Sequence, residues 1–255
     1  MMNHKKVILL TGARSGLGKV VAQYLLSKGH TVYGTSRNEE VSAVDRFHWL
    51  VMDITSDADC VNAVSAIMAK EGRLDVIVNN IGMTLSGPTL GFTVDDFMKI
   101  IDTNVIGAFR LIKAAHSFPI KPELVINVTS LNGFMAYPNF GLYSASKFAL
   151  EALGFALRHE LASSTKVVNV APGAIQSGTA NKMSHKSARE KIPLLRWLMP
   201  LTSQTDIAIV IGKLIDAKFV PPRVLVGMDA HIINLLQKAL PLTIFNKIIS
   251  YIWKK

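Results

Sequence analysis

Seven short apolar runs, rich in Val, Ile and Leu, recur along this chain, and most are followed by an amphipathic stretch of helical length. Residues 6–11, 31–36, 48–53, 74–79, 124–129, 166–171 and 224–226 read as strands. Residues 17–28, 57–71, 94–117, 143–162 and 204–217 read as helices. Alternation of strand and helix on this spacing indicates a parallel sheet with helices on both faces. Right-handed crossovers then make the sheet doubly wound. The expected fold is therefore α/β, a doubly wound parallel sheet in a single domain over 1–255, ending in an apolar helical tail at 229–255.

The chain has 255 residues, 49% of them hydrophobic, which suits one well-cored domain better than two. The single cysteine, Cys60, excludes an intrachain disulfide and points to a reducing compartment. The apolar run behind the N-terminus is too short for a signal peptide, and no window offers the roughly 20 apolar residues of a spanning helix. A cytoplasmic chain is the expectation. The net charge of +10 comes from scattered Lys and Arg, with no signature of a nucleic-acid-binding module. An anionic cofactor or a membrane surface fits it better.

The stretch Thr11-Gly12-Ala13-Arg14-Ser15-Gly16-Leu17-Gly18 leaves a strand and opens a helix. A Rossmann-like dinucleotide turn needs one glycine for the bend, a second where the backbone meets a pyrophosphate, and a third where helix packs on strand. Gly12, Gly16 and Gly18 can fill these roles, with the pyrophosphate at the helix N-terminus. A P-loop is excluded, because Ala13 and Val20 occupy positions it reserves for Gly and Ser/Thr. The second strand ends in Ser36-Arg37, where an NAD site usually carries an acid. A guanidinium there, assisted by Arg14, can bond a 2′-phosphate, so NADP(H) is the expected cofactor.

Tyr143 and Lys147 stand four residues apart at the start of a predicted helix and so share a face. A free tyrosine, with a pKa of about 10, is almost wholly protonated at neutral pH. A neighbouring ammonium favours the phenolate, and the expectation is that Lys147, helped by the positive nicotinamide ring, lowers the Tyr143 pKa so that Tyr143 serves as general acid/base. Ser130 ends the strand at 124–129, on the side where open α/β sheets bind ligands, and its hydroxyl can bond a reacting oxygen.

With these residues the chain resembles the single-domain short-chain dehydrogenases/reductases over roughly residues 5–228, in the branch of hydroxysteroid and retinol dehydrogenases and carbonyl reductases. The resemblance rests on Thr11–Gly18, Asn79-Asn80-Ile81-Gly82, Asn104, Ser130, Tyr143/Lys147 and Pro172-Gly173, in that family's order. It implies that Lys147 also bonds the nicotinamide ribose, and that Asn104 holds a helix kink and a water in a proton relay. It implies that Ser15 and Leu17 belong to the cofactor turn, that Asp53 and Ile54 contact adenine, and that Asn80 and Gly82 line the cofactor channel. Pro172, Gly173 and Ile175 would flank the nicotinamide. Two departures are Ile81, where alanine is usual, and Ser177, where threonine is common.

The reaction so implied is hydride transfer between NADP(H) and a carbonyl/alcohol pair on a small molecule, with a steroid-, retinoid- or lipid-like substrate suggested by apolar residues 192–201 and by the tail. A 3-oxoacyl thioester or a sugar ketone stays open. So does a non-catalytic NADP(H)-binding regulatory module, although the intact Ser130, Tyr143 and Lys147 argue against it. The family commonly forms homo-oligomers through the helices expected at 94–117 and 143–162. The seven histidines show no metal spacing, and Cys60 reads as a packed helix residue. The tail has two readings: packing over the cleft or a second subunit, or peripheral contact with a membrane.

Overall fold

In the computed structural model, residues 5–38, 44–176 and 200–254 are described. The connection around Ser177 and Trp197 lies outside them. The elements are β1 (Val7–Leu10), α1 (Gly16–Ser27), β2 (Thr31–Ser36), β3 (Phe47–Val51), α2 (Asp57–Glu71) and β4 (Val76–Asn79). Then come α3 (Val94–Ile101), a π-helical turn (Asp102–Ile106), α4 (Gly107–His116), β5 (Leu124–Val128) and α5 (Gly141–Glu160). The rest are β6 (Lys166–Pro172), α6 (Gln204–Ile215), β7 (Arg223–Val226), α7 (Met228–Ala239) and α8 (Leu242–Lys254).

The described strands form one sheet in the order β3-β2-β1-β4-β5-β6-β7, and every pairing is parallel. Winding starts at β1, runs outward to β3, then returns to the other side of β1 at β4. The crevice outside the C-terminal ends of β1 and β4 is thus the topological switch point, where such sheets bind ligands.

Alternation within β1 shows how the core is divided. Ile8 and Leu10 join one apolar cluster with Val21 and Leu25 of α1 and Ile207 and Ile211 of α6. Val7 and Leu9 point the other way, into a cluster with Ile67 of α2, Leu111 of α4 and Leu157 of α5. Successive side chains leave opposite faces of a strand, so four consecutive apolar residues fill two cores at once. Truncating one such residue, Leu9→Ala for instance, costs about 2–5 kcal/mol.

Local signals set several helix ends. Ser56 caps α2 by accepting from the Asp59 N–H, and Gly72 ends that helix at φ 68°. Thr93 and Asp96 form a reciprocal capping box on α3. The helix expected at 94–117 is interrupted by the π-helical turn that contains Asn104. Gly212 on α6 leaves room for the Tyr24 ring, where a Cβ would come within 2.4 Å, and so lets α1 and α6 pack closely.

A third, smaller cluster joins Leu131, Phe134 and Met135, just after β5, to Ala230 and Ile233 of α7 and Phe245 of α8. Among the described residues, no helix is long and apolar enough to cross a membrane.

Candidate active site

The turn between β1 and α1 is shaped at Gly12 and Gly18 by contacts that leave no space for a side chain. Gly12 and Gly16 hold φ of 70° and 55°, in the left-handed region that glycine occupies without strain. A Cβ on Gly18 would lie 2.0 Å from the Gly12 carbonyl oxygen, so the third glycine sets how closely α1 meets the turn. Ser15 is the N-cap residue of α1, yet its side chain does not cap the helix. Arg14 and Ser15 are exposed at the mouth of the turn, Leu17 is half-buried, and Gly18 is buried.

Thr11 ties this turn to β4. Its hydroxyl accepts the backbone N–H groups of Asn80 and Ile81, both at 2.9 Å, and the Asn80 amide donates to the Thr11 carbonyl at 2.9 Å. The Ile81 side chain covers Gly12, where a Cβ would meet it at 2.9 Å. From β2, the Thr35 hydroxyl accepts the Gly12 N–H at 3.2 Å. Arg37 is exposed just beyond β2. Asp53 follows β3, and the Thr55 N–H and hydroxyl hold its carboxyl below the usual range, with Arg37 and Arg110 adding to the effect. Ile54 is buried against Gly107, where a Cβ would come within 2.6 Å of it.

Asn104 is buried in the π-helical turn. Its Oδ1 accepts the Met83 N–H at 2.7 Å, and its Nδ2 donates to the Met83 carbonyl and the Ser146 hydroxyl, both at 2.9 Å. It thereby fastens the loop after β4 to α5. Gly82 sits where a Cβ would be 3.4 Å from Lys147 Nζ and 3.8 Å from Asn104 Oδ1. At the end of β6, Gly173 leaves room for Asp229, whose carboxylate accepts the Ala174 N–H at 2.7 Å. Ile175 bridges Thr202 one step further on.

The sequence-predicted catalytic residues converge at the C-terminal end of β5. Ser130 accepts the Asn132 N–H at 3.1 Å and starts the 3-10 turn Leu131–Gly133. The hydroxyls of Ser130 and Thr84 lie on the Tyr143 side of the site and favour its phenolate form. The Phe140 ring stands edge-on to Tyr143 at 6.5 Å. Lys147 is 3% exposed, donates to the Val128 carbonyl at 2.9 Å, and lies 5.8 Å from the centre of the Tyr143 ring.

In the protein by itself, Lys147 is not among the groups that shift the Tyr143 pKa. Burial raises the Tyr143 pKa above the ordinary value, and it outweighs the two hydroxyls, which pull the other way. Burial also brings Lys147 down to about 8, with the Glu151 carboxylate opposing that shift. Both groups lose hydration together, and desolvation disfavours the charged form of each. The neutral phenol is therefore the favoured form of Tyr143.

Thr84 and Glu151 were not among the expected site residues. Thr84 carries no motif and enters through the fold of the loop after Gly82. Glu151 is one turn beyond Lys147, and that i+4 spacing was the available signal. Buried Glu151 is held by Arg223 at 2.8 Å, by the Asn169 amide at 3.0 Å and by the Thr129 hydroxyl. Cys60 is buried in α2, and burial pushes its thiol up to about 11, which suits a packing residue.

A family model described as short chain dehydrogenase matches residues 6–188. The chain belongs to this family. A 3-ketodihydrosphingosine reductase of Bacteroides thetaiotaomicron is 38% identical over 176 residues, covering 68% of this chain and 65% of the relative, just under two thirds of its length. Among solved structures, ElxO with NADP bound is 30% identical with a TM-score of 0.77, covering 87% of this chain and 96% of that one. A 3-ketoacyl-(acyl-carrier-protein) reductase from Brucella melitensis, complexed with NADH, is 26% identical with a TM-score of 0.76, covering 86% and 95%. Membership in this oxidoreductase family agrees with the seven-stranded Rossmann-like sheet of the described residues.

Proposed function

We propose that this chain is an NADP(H)-dependent reductase that interconverts a ketone or aldehyde with its alcohol, on a hydrophobic small molecule. The observation that carries this reading is the convergence of Ser130, Tyr143 and Lys147 at the C-terminal end of β5, with Lys147 Nζ 5.8 Å from the centre of the Tyr143 ring and bonded to the Val128 carbonyl.

The residues present fit a dinucleotide. The backbone at Gly12, Ser15, Gly16, Leu17 and Gly18 would hold its pyrophosphate, with Arg14 and Arg37 toward a 2′-phosphate. Asp53, Ile54, Asn80 and Gly82 would border the adenosine side, and Pro172, Gly173 and Ile175 the nicotinamide side. When bound, the cofactor supplies or accepts the hydride. Tyr143 gives its proton to the substrate oxygen during reduction and takes it back during oxidation. The Ser130 hydroxyl steadies the same oxygen. Lys147, held by the Val128 carbonyl, keeps positive charge beside the tyrosine while its oxygen is deprotonated. Asn104 acts by fixing the loop at Met83 against α5.

The two named reductases above support a 3-keto group as the first substrate class to test. A 3-oxoacyl thioester is the second reading, supported by the Brucella neighbour. Self-association is proposed through α4 and α5, where Phe109 and Phe148, with Ile106 of the π-helical turn beside α4, are exposed apolar side chains.

The test is oxidation of NADPH, with NADH in parallel, against hydrophobic 3-keto compounds and acyl thioesters. Turnover should fall at least about a hundredfold in Tyr143→Phe. The NADPH-over-NADH preference should fall roughly tenfold or more in Arg37→Ala, as charge-assisted bonds to a phosphate are lost. A folded protein that binds NADPH and reduces none of these substrates would favour the regulatory module instead.

A further inference from the structure

We propose that α7 and α8 form a peripheral docking surface for an anionic lipid bilayer. One side of the pair is already used. Ala230, Ile233 and Phe245 are buried against Leu131, Phe134 and Met135, and the Gln237 amide donates to the Phe134 carbonyl at 2.8 Å. The pair is therefore seated on the body of the protein. The other side is apolar and open: Leu235 is 66% exposed, Leu242 64% and Ile244 48%, and Leu236 and Ile248 are exposed beside them.

Charge decides what covers this side. Residues 230–255 contain no Asp or Glu but carry Lys238, Lys247, Lys254 and Lys255. The nearest acid, Asp229, is buried and bonded to the Ala174 N–H. Lys238 and Lys247 are exposed among the open apolar residues. A two-fold contact between copies would set these lysines against their own kind with no carboxylate from the segment to answer them. An anionic bilayer answers both features, taking the leucines and isoleucines into its interface and the lysines among its headgroups.

Helix length agrees. At 1.5 Å per residue, helices of 12 and 13 residues span about 20 Å, short of a hydrocarbon core of about 30 Å. They can lie in the interface but not cross it. Pro241, between them, breaks the pair into two short segments. The proposal stands apart from the chemistry above, because lipid binding is read without turnover.

The test is sedimentation of the full-length protein with vesicles of phosphatidylcholine alone or mixed with phosphatidylglycerol. Binding to the anionic vesicles is expected, weakening as salt rises. Each lysine near such a surface strengthens partitioning roughly fivefold. The double variant Lys238→Glu/Lys247→Glu should therefore lose more than about tenfold, with unchanged circular dichroism and melting. Leu235→Ser/Leu242→Ser should weaken binding to a similar extent. Folded wild type that stays in the supernatant with both vesicle types overturns the proposal. So does equal binding to both types that ignores the charge reversal. Conversion of an oligomer to monomers by Leu235→Ser/Leu242→Ser would assign the face to a second copy and overturn it as well.

Discussion

The two ends of the site are built by different physics. Around β1, α1 and β4, the cradle is made of backbone and small side chains: Gly12 at positive φ, Gly18 against the Gly12 carbonyl, Thr11 accepting two N–H groups. What matters there is who can approach whom. Around β5 and α5, the catalytic end is made of buried polar side chains, and what matters is the cost of charge out of water. Steric sites fail abruptly when an atom is added. Desolvated sites drift with pH and with the loss of one partner.

Gly18→Ala tests the steric half and should have the largest effect. The new Cβ would stand 2.0 Å from a backbone oxygen, which no rotamer change relieves. The turn or the helix must move, at a cost of several kcal/mol. Dinucleotide binding, read by calorimetry, should vanish, or the protein should fail to fold. Gly16→Ala sharpens the point: its Cβ meets nothing within 4 Å, so only the positive φ is penalised. That variant should lose about 1 kcal/mol of stability and still fold, while its dinucleotide binding weakens, because the added methyl stands where the backbone would meet the pyrophosphate. Equal damage from both would show that space does not govern this half.

The same contrast explains what could be read before the structure. Glycines at a strand-to-helix turn leave a mark in the sequence because only glycine meets the steric demand, so Gly12, Gly16 and Gly18 were legible together with the parallel sheet. Tyr143 and Lys147 were legible as a pair by helical spacing. Their ionisation was not. Spacing reports that the lysine is near, but not that it is buried or that desolvation is the largest influence on the half-buried tyrosine. Asn79, Asn127 and Asn169 stand in register across β4, β5 and β6, a relation that spacing along the chain does not show. Only strand order makes them a ladder of side-chain hydrogen bonds, at 2.9 and 3.1 Å, ending on Glu151.

Lys147→Met tests the desolvated half, with a smaller effect and an unusual sign. Turnover should collapse, yet the fold should gain stability. Lowering the lysine from an ordinary 10.5 to about 8 corresponds to roughly 3 kcal/mol. Losing the bond to the Val128 carbonyl returns about 1 kcal/mol of that. The net gain, about 2 kcal/mol, should appear as a higher urea midpoint at neutral pH. Between pH 8 and 10.5 the unfolded lysine holds a proton that the folded one has shed, so wild-type stability rises with pH there. The advantage of the variant should be full below pH 8 and shrink toward 10.5. A variant less stable than wild type at pH 7 would mean that burial of this lysine is not a net cost.

Glu151→Gln gives the smallest and most specific effect. The Glu151 carboxylate opposes the burial that lowers Lys147, so its removal should lower the lysine further. Activity that needs the ammonium should then fade at lower pH, with the alkaline limb of kcat moving down. A shift of the limb separates this role from mere packing, which would lower kcat evenly at every pH. Arg223 and the Thr129 hydroxyl also meet this carboxylate, so some stability should be lost as well. Glu151→Asp, which keeps the charge on a shorter stem, should return the limb toward its wild-type position even where the packing is poorer. If Asp and Gln variants show the same pH profile, the carboxylate is a structural tie between α5 and β7. The tuning of Lys147 would then rest on burial alone.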